Sequence, residues 1–312
     1  MGFIKKSFYV NEPIPAFLFL MRELGVSQGQ SQKIITTGRL FVNGKVWERS
    51  GHKIQGHIEV KMFVPQGKGV KPVFTTTDFG LFDKPSGVLV HPRTRFTNYS
   101  LLDDIRHVYG KDANAIHRID KETSGLLLVS RNKEPERKLK LMFETRDVKK
   151  SYLAWVRGRV DKSFKVDVPL KRNDDFSTIK LKVLVDSDGK DALTYFEPIE
   201  YDEVYDATLI QAFPHTGRQH QIRVHLFHVK HPIIGDPIYG VPTEVAIKYL
   251  DKEIIEEDRL YYMGAKRLLL HAQTLMFNYQ GVSYNFKSKF DFKGLKKLIV
   301  KPDKRFKGAF YS

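Results

Sequence analysis

Apolar residues recur along this chain in two rhythms, and each predicts elements. Near the start, Phe17-Leu18-Phe19-Leu20-Met21 and Leu24 follow Pro13 and Pro15 and stop at Gly25. That pattern predicts a helix closed by glycine. A second helix is expected over roughly Gln30 to Thr37, closed by Gly38. Then Asn43-Gly44 separates two apolar-rich runs, Arg39 to Val42 and Lys45 to Trp47. Both turn residues tolerate positive φ, so this reads as a hairpin. Ile58-Glu59-Val60 predicts a further strand. Beyond about residue 77 short apolar runs, Gly80 to Phe82 and Leu126 to Val129, read as strands. Tyr152, Ala154 and Val156 alternate with Ser151, Leu153 and Trp155, the period of a strand. A helix is predicted from about Asn132 to Thr145, with Asn132 as its cap and Pro135 in the first turn. The acidic run 251–259 is expected on a surface helix.

This ordering divides the chain into a small module over 1–65, a linker over 66–76 rich in Gly, Pro and Lys, a large region over 77–300 and a basic tail over 301–312. Charge narrows the partners. Lys and Arg total 52 against 36 Asp and Glu, a net +16, so a polyanion is the expected partner, RNA or DNA first. The first module carries nine Lys/Arg and four Glu, or +5. With no cysteine in the chain, disulfides, thiolate zinc sites and cysteine nucleophiles are excluded. The N-terminus lacks the apolar core of a secretory signal, and no apolar stretch reaches the roughly 18 residues of a membrane span. A cytoplasmic protein is expected, as a monomer.

An acid stands out against this basic background. In His117-Arg118-Ile119-Asp120-Lys121-Glu122-Thr123-Ser124-Gly125, a polar turn carries Asp120 beside an arginine and leads directly into the apolar run Leu126 to Val129. Packing against a buried strand fixes where such a side chain points. Four more segments stand with it: Asp83-Lys84-Pro85-Ser86-Gly87-Val88-Leu89-Val90-His91-Pro92, Lys150-Ser151-Tyr152-Leu153-Ala154, His215 through Leu226, and Arg267-Leu268-Leu269-Leu270-His271-Ala272. Together and in this order they resemble the RNA pseudouridine synthases that act on large-subunit ribosomal and transfer RNA, the RluA-like group, over about residues 77–292. The stretch Gln32-Lys33-Ile34-Ile35 followed by Gly38-Arg39-Leu40-Phe41-Val42-Asn43-Gly44 resembles the alpha-L RNA-binding module. Upstream the likeness thins, because Ile14-Pro15-Ala16 stands where that module usually opens with Arg-Leu-Asp.

The resemblance implies an α+β fold, with a mainly antiparallel mixed sheet in the catalytic domain and a small N-terminal α/β RNA-binding module. Local patterns alone indicate only mixed strands and helices. It implies isomerisation of uridine to pseudouridine in structured RNA, ribosomal RNA of the large subunit first and transfer RNA as the alternative. The reaction breaks the ribose–base bond and rejoins the base through ring carbon five. No electrons are gained or lost, so no cofactor is expected. The resemblance assigns Asp120 as the catalytic carboxylate, Arg223 as its partner and Tyr152 as the base contact. An ionised carboxylate can attack the sugar, attack the base or help form a glycal. Arg118 is expected to hold the RNA once the uridine has left its stack. Lys33, Arg39, Lys45, Arg218 and His220 are expected to touch RNA, and His117, Thr123, Arg267 and His271 to support the loop. Thr123 and Ser124 are expected to brace it through side-chain to backbone bonds.

Other readings compete at single residues. Arg223 alone could be a surface arginine on phosphate, and Tyr152 alone a packed core residue. His215, His220, His225, His228 and His231 invite a metal, but no His-Glu-x-x-His signature accompanies them, so none is expected. Lys84-Pro85-Ser86-Gly87 lacks the spacing of a phosphate loop. A non-catalytic RNA-binding or assembly factor keeps the same fold, but intact Asp120, Tyr152 and Arg223 argue for chemistry. An RNA methyltransferase would need a glycine-rich loop after a strand, and none is found.

Overall fold

In the computed structural model, the described residues are 3–63, 67–93, 97–173, 179 and 182–301. The expected basic tail falls outside them except for Lys301. The chain divides into two units. The first holds 3–63 and 97–99, the second 67–93 and 100–301, within the described residues.

The first unit runs β1 (Phe3–Pro15), α1 (Ala16–Leu24), α2 (Gln28–Thr36), β2 (Leu40–Val42), β3 (Lys45–Val46) and β4 (Lys53–Phe63). Its sheet has the order β1-β4-β2-β3. Gly25 caps α1 in the left-handed conformation and returns its N–H to Met21. The second helix starts earlier than its apolar residues suggest, because Ser27 and Gln30 form a reciprocal capping box. Asn43 and Gly44 both take positive φ, 49° and 80°, as the hairpin requires. Phe19, Leu20, Ile34, Ile35, Leu40 and Ile58 form its core. The sequence gives little sign of β1. That strand lies along the sheet edge, with most of its described side chains exposed or half-buried, so it carries only a weak hydrophobic pattern.

The second unit contains β5 (Pro72–Thr75), β6 (Phe79–Lys84), α3 (Leu101–Tyr109), β7 (Asn114–Ala115), β8 (Ser124–Ser130), α4 (Lys133–Glu144), β9 (Lys149–Arg157), β10 (Phe164–Asp167), β11 (Leu170–Arg172), β12 (Val183–Val185), β13 (Leu193–Asp202), β14 (Ala207–Pro214), α5 (Gln221–His228), α6 (Thr243–Asp251), α7 (Glu256–Met263), β15 (Leu270–Tyr279), β16 (Val282–Lys287) and a closing 3-10 helix (Lys293–Leu298). Its large sheet is ordered β10-β13-β14-β9-β15-β8-β6-β5, with β16 on β15 and β7 on β8. Pairing is antiparallel except between β15 and β8, which fits the mainly antiparallel sheet expected. The alternation of β9 separates two cores. Tyr152, Ala154 and Val156 pack with Ile222 and Leu226 of α5, while Trp155 packs with Leu209, Ile234 and Phe292. Helix α4 has the expected cap: Asn132 accepts the Glu134 N–H.

Two expectations are corrected. The segment read as a linker over 66–76 carries β5, which pairs with β6; Asp104 also accepts the Gly69 and Val70 N–H groups. Its Gly, Pro and Lys content hid an edge strand, the one place in a sheet where Pro fits easily. The acidic run 251–259 is not one helix. It spans the end of α6 and the start of α7, with Lys252 in the left-handed conformation ending α6. Its acids Glu256, Glu257 and Asp258 occupy the first turn of α7, where the helix dipole favours them.

Candidate active site

The loop bearing Asp120 enters the central strand β8, and its path is fixed from several sides. Gly125 adopts φ +112°, and a Cβ there would stand 2.3 Å from the Ala272 carbonyl oxygen on β15. A glycine is therefore required where these two strands run parallel. One residue back, the Ser124 hydroxyl lies 2.8 Å from His271 Nδ1 and accepts from Arg267 Nη2 at 2.6 Å. So Ser124 braces the loop through side chains of the last motif, not through the backbone bonds expected of it, because its hydroxyl faces β15. Thr123 is buried beside it. His117 accepts the Leu128 N–H at 3.1 Å and stacks on Phe143 at 4.5 Å. Burial lowers its pKa to about 3, so it serves as a neutral acceptor.

The Lys84 side chain reaches into the same loop. Its buried ammonium donates to the carbonyls of Pro85, Val88 and Lys121 at 3.0, 2.7 and 3.0 Å. Burial lowers its pKa to about 7, against the pull of Asp120 and Glu122. The ammonium is committed to the protein interior, which agrees with rejecting a phosphate loop here. Glu122 is gripped from the far side: it accepts from Tyr249 on α6 and Arg259 on α7, both at 2.7 Å. Asp120 thus stands on a loop tied to β6, β15, α6 and α7.

Asp120 meets Arg223 of α5. Arg223 Nη1 donates to Asp120 Oδ2 at 2.9 Å, and the guanidinium is only 4% exposed, which removes the surface-arginine reading. Its other edge is held by Asp236, with Nε and Nη2 donating at 2.7 and 2.8 Å. Asp236 also accepts the N–H groups of Ile238 and Tyr239. One buried cation therefore sits between two carboxylates, with the Tyr239 ring 5.0 Å from the guanidinium carbon. Burial alone would raise the pKa of Asp120. The charges of His220 and Arg223 and the bond from Arg223 outweigh it, holding the carboxyl below its ordinary range. His220 lies 3.8 Å away, and burial lowers its own pKa to about 4. At neutral pH the imidazole is uncharged and Arg223 carries the pairing. Because 26% of the Asp120 side chain is exposed, a ligand can still reach it.

It opens into a cleft of about 790 Å³. Asp120, Tyr152, Arg223, Arg118, His117, Thr123, Arg218 and His220 all line it. Tyr152 lies in one row across four strands: Gly125 pairs with Ala272, Ala272 with Tyr152, and Tyr152 with Ala212. Partners in such a row face the same side of the sheet, so the tyrosine is flanked by small residues only. Burial and the charge on Asp120 raise its pKa, which keeps the phenol protonated. Arg118 is exposed at the rim, and Arg218 Nε donates to the Asp191 carbonyl at 2.9 Å. Arg267 and His271 stand behind the loop. Lys33, Arg39 and Lys45 lie in the N-terminal unit and do not line the cleft. His225 Nδ1 bonds Thr194, and His231 Nδ1 bonds the Arg157 carbonyl. Sequence reasoning missed Asp236 and the Tyr249–Arg259 grip. The signal available for Asp236 was an acid directly after the apolar, glycine-closed run Ile233-Ile234-Gly235.

Comparison with known proteins identifies the family. Residues 78–228 match the family model for RNA pseudouridylate synthase. The chain is 37% identical over 289 residues to an uncharacterized RNA pseudouridine synthase of Helicobacter pylori, covering 92% of this chain and 94% of that protein. It is 30% identical over 228 residues to ribosomal large subunit pseudouridine synthase D of Escherichia coli, covering 69% of this chain and 68% of that one. In fold it is similar to human RNA pseudouridylate synthase domain containing 1, with a TM-score of 0.56 and 22% identity, over 76% of this chain and 99% of that one. With its five ordered segments, its mainly antiparallel sheet and a relative matched along nearly its whole length, the chain belongs to the RNA pseudouridine synthase family and is an isomerase of RNA uridine.

Proposed function

We propose that this enzyme isomerises specific uridines in large-subunit ribosomal RNA, in the cytoplasm, with Asp120 as the catalytic carboxylate. The observation that carries the reading is the Asp120–Arg223 pair at 2.9 Å, opening beside Tyr152 into a cleft lined by basic side chains. The reaction breaks the bond between sugar C1′ and base N1, turns the base and forms a bond from C1′ to C5. The C5 proton is lost and N1 gains one. Arg223, clamped by Asp236, keeps Asp120 ionised and aimed. That carboxylate serves attack on the sugar, attack on the base or removal of a sugar proton. Tyr152 packs under the flipped base, and its protonated phenol exchanges a proton with the ring. Arg118, at the rim, occupies the space the uridine leaves or holds its flanking phosphate.

Ribosomal RNA as substrate is supported by the Escherichia coli relative and by a ribosomal large subunit pseudouridine synthase D of Xanthomonas campestris, 32% identical over 237 residues. The N-terminal unit, with Lys33 and Lys45 exposed and Arg39 half-buried, adds grip without sequence choice, in the manner of an alpha-L module. Removing residues 1–65 is then expected to lower RNA affinity and flatten its dependence on salt; an unaltered salt slope would remove this unit from RNA binding. Mapping pseudouridines in total RNA from a strain lacking the gene tests the substrate. The reading expects a large-subunit site to revert to uridine; reversion only in transfer RNA would replace that substrate.

A further inference from the structure

The cations around the cleft sort by what they already hold. Lys84 is spent on three carbonyls, Arg223 on two carboxylates, and Lys140 on Glu136. Arg118 and Arg146 are exposed, so water satisfies them. Lys150 is different. It is half-buried on β9 and lines the cleft, yet no acceptor or carboxylate engages its ammonium among the described residues. Burial lowers its pKa, with no opposing charge to offset the loss of water. A cation on a rigid strand, thinned of water by burial, facing a cleft and held by no carboxylate, is placed to take an entering anion.

Its placement indicates which anion. Lys150 stands two residues before Tyr152, on the same face of β9, about 6–7 Å along the strand. Its ammonium lies beside Gly217, where a Cβ would stand 3.5 Å from Nζ. Gly217 has no left-handed φ that would demand glycine, so what the missing side chain provides is open space next to the ammonium. We propose that Lys150 and the gap at Gly217 form a subsite for the backbone phosphodiester adjoining the flipped uridine, while Tyr152 carries the base. This deepens the reading of Asp120 and Tyr152 as the uridine site and rests on it.

The test uses the full chain and a short single-stranded RNA containing one uridine, in three forms: unmodified, and with a neutral methylphosphonate at the linkage 5′ or 3′ of that uridine. Lys150→Met is expected to weaken binding of the unmodified RNA about tenfold and to reduce the slope of log Kd against log salt by about 0.7. One methylphosphonate is expected to weaken the wild type and leave Lys150→Met unchanged. Lys150→Arg, which keeps the charge, should keep the wild-type slope. Tritium release from an in vitro transcript of large-subunit ribosomal RNA is followed in parallel. If the wild type releases tritium while Lys150→Met keeps the wild-type slope and sensitivity to methylphosphonate, the subsite is wrong and the uridine site stands. If the wild type releases none, the uridine reading falls and this subsite falls with it.

Discussion

Replacing Asp236 by Asn isolates the clamp on Arg223 without emptying its space. The Asp236 carboxylate takes four bonds, from Arg223 Nε and Nη2 and from the Ile238 and Tyr239 N–H groups, and it is only 2% exposed. Three of those bonds converge on Oδ1, so an amide that keeps its oxygen there preserves them. Its nitrogen then faces the Nε–H of Arg223, donor against donor. The lost charge-assisted bond and the half-neutralised guanidinium together cost about 3 kcal/mol, the low end for breaking a buried pair, because Asp120 still accompanies Arg223. Thermal unfolding of this unit should move down by roughly 6–12 °C. A loosened Arg223 no longer aims Asp120, and an error of about 1 Å at a reacting group costs on the order of a hundredfold in rate. Single-turnover pseudouridine formation on a large-subunit RNA transcript, with saturating enzyme, reads the second effect; a melting scan reads the first. If Asp236→Asn melts and reacts like the wild type, Arg223 is not held from behind and the reasoning about the clamp is wrong.

Tyr152→Phe keeps the packing and removes only the hydroxyl, so it should slow single turnover by about a hundredfold while changing RNA affinity little; an unchanged single-turnover rate would contradict the proton role given to that phenol. Acid should destabilise the protein ahead of its carboxylates. Burial lowers His117 to about 3 and His220, His225 and His271 to about 4, from an ordinary 6.5. Below pH 6.5 the unfolded chain takes up protons that the folded imidazoles refuse, so stability falls between pH 6.5 and 4 by up to about 1.4 kcal/mol per pH unit for each. Urea midpoints at pH 7 and pH 5 check this; equal midpoints would mean that these rings titrate normally in the folded state.

What the sequence revealed and what it hid follow from locality. Helix α4 was legible because its cap, its proline and its apolar stripe all lie within a few turns. The Asn43-Gly44 hairpin was legible because positive φ at both residues is a local demand. The edge strands β1 and β5 were not, since a strand lying along a sheet edge carries little alternation and tolerates proline and lysine. Asp120, Tyr152 and Arg223 sit in motifs that can be recognised as such, and the cleft brings them together. The groups that fix them were harder to see. Glu122 and Arg259 are 137 residues apart, and only the return of α7 to the loop brings them together. Asp236 reaches Arg223 across a turn of thirteen residues, with no periodic signal to link the two. The bonds of Ser124 are hidden for the same reason: its partners, His271 and Arg267, come from the far end of the chain.

The proposed chemistry depends on the carboxylate of Asp120. Large-subunit ribosomal RNA labelled with tritium at uridine C5 and incubated with excess enzyme should lose its label to water with the wild type. With Asp120→Asn it should lose none above background, while gel-shift affinity for the same RNA stays within a few-fold. Substantial tritium release by Asp120→Asn would remove the carboxylate from the chemistry and contradict the account at its centre.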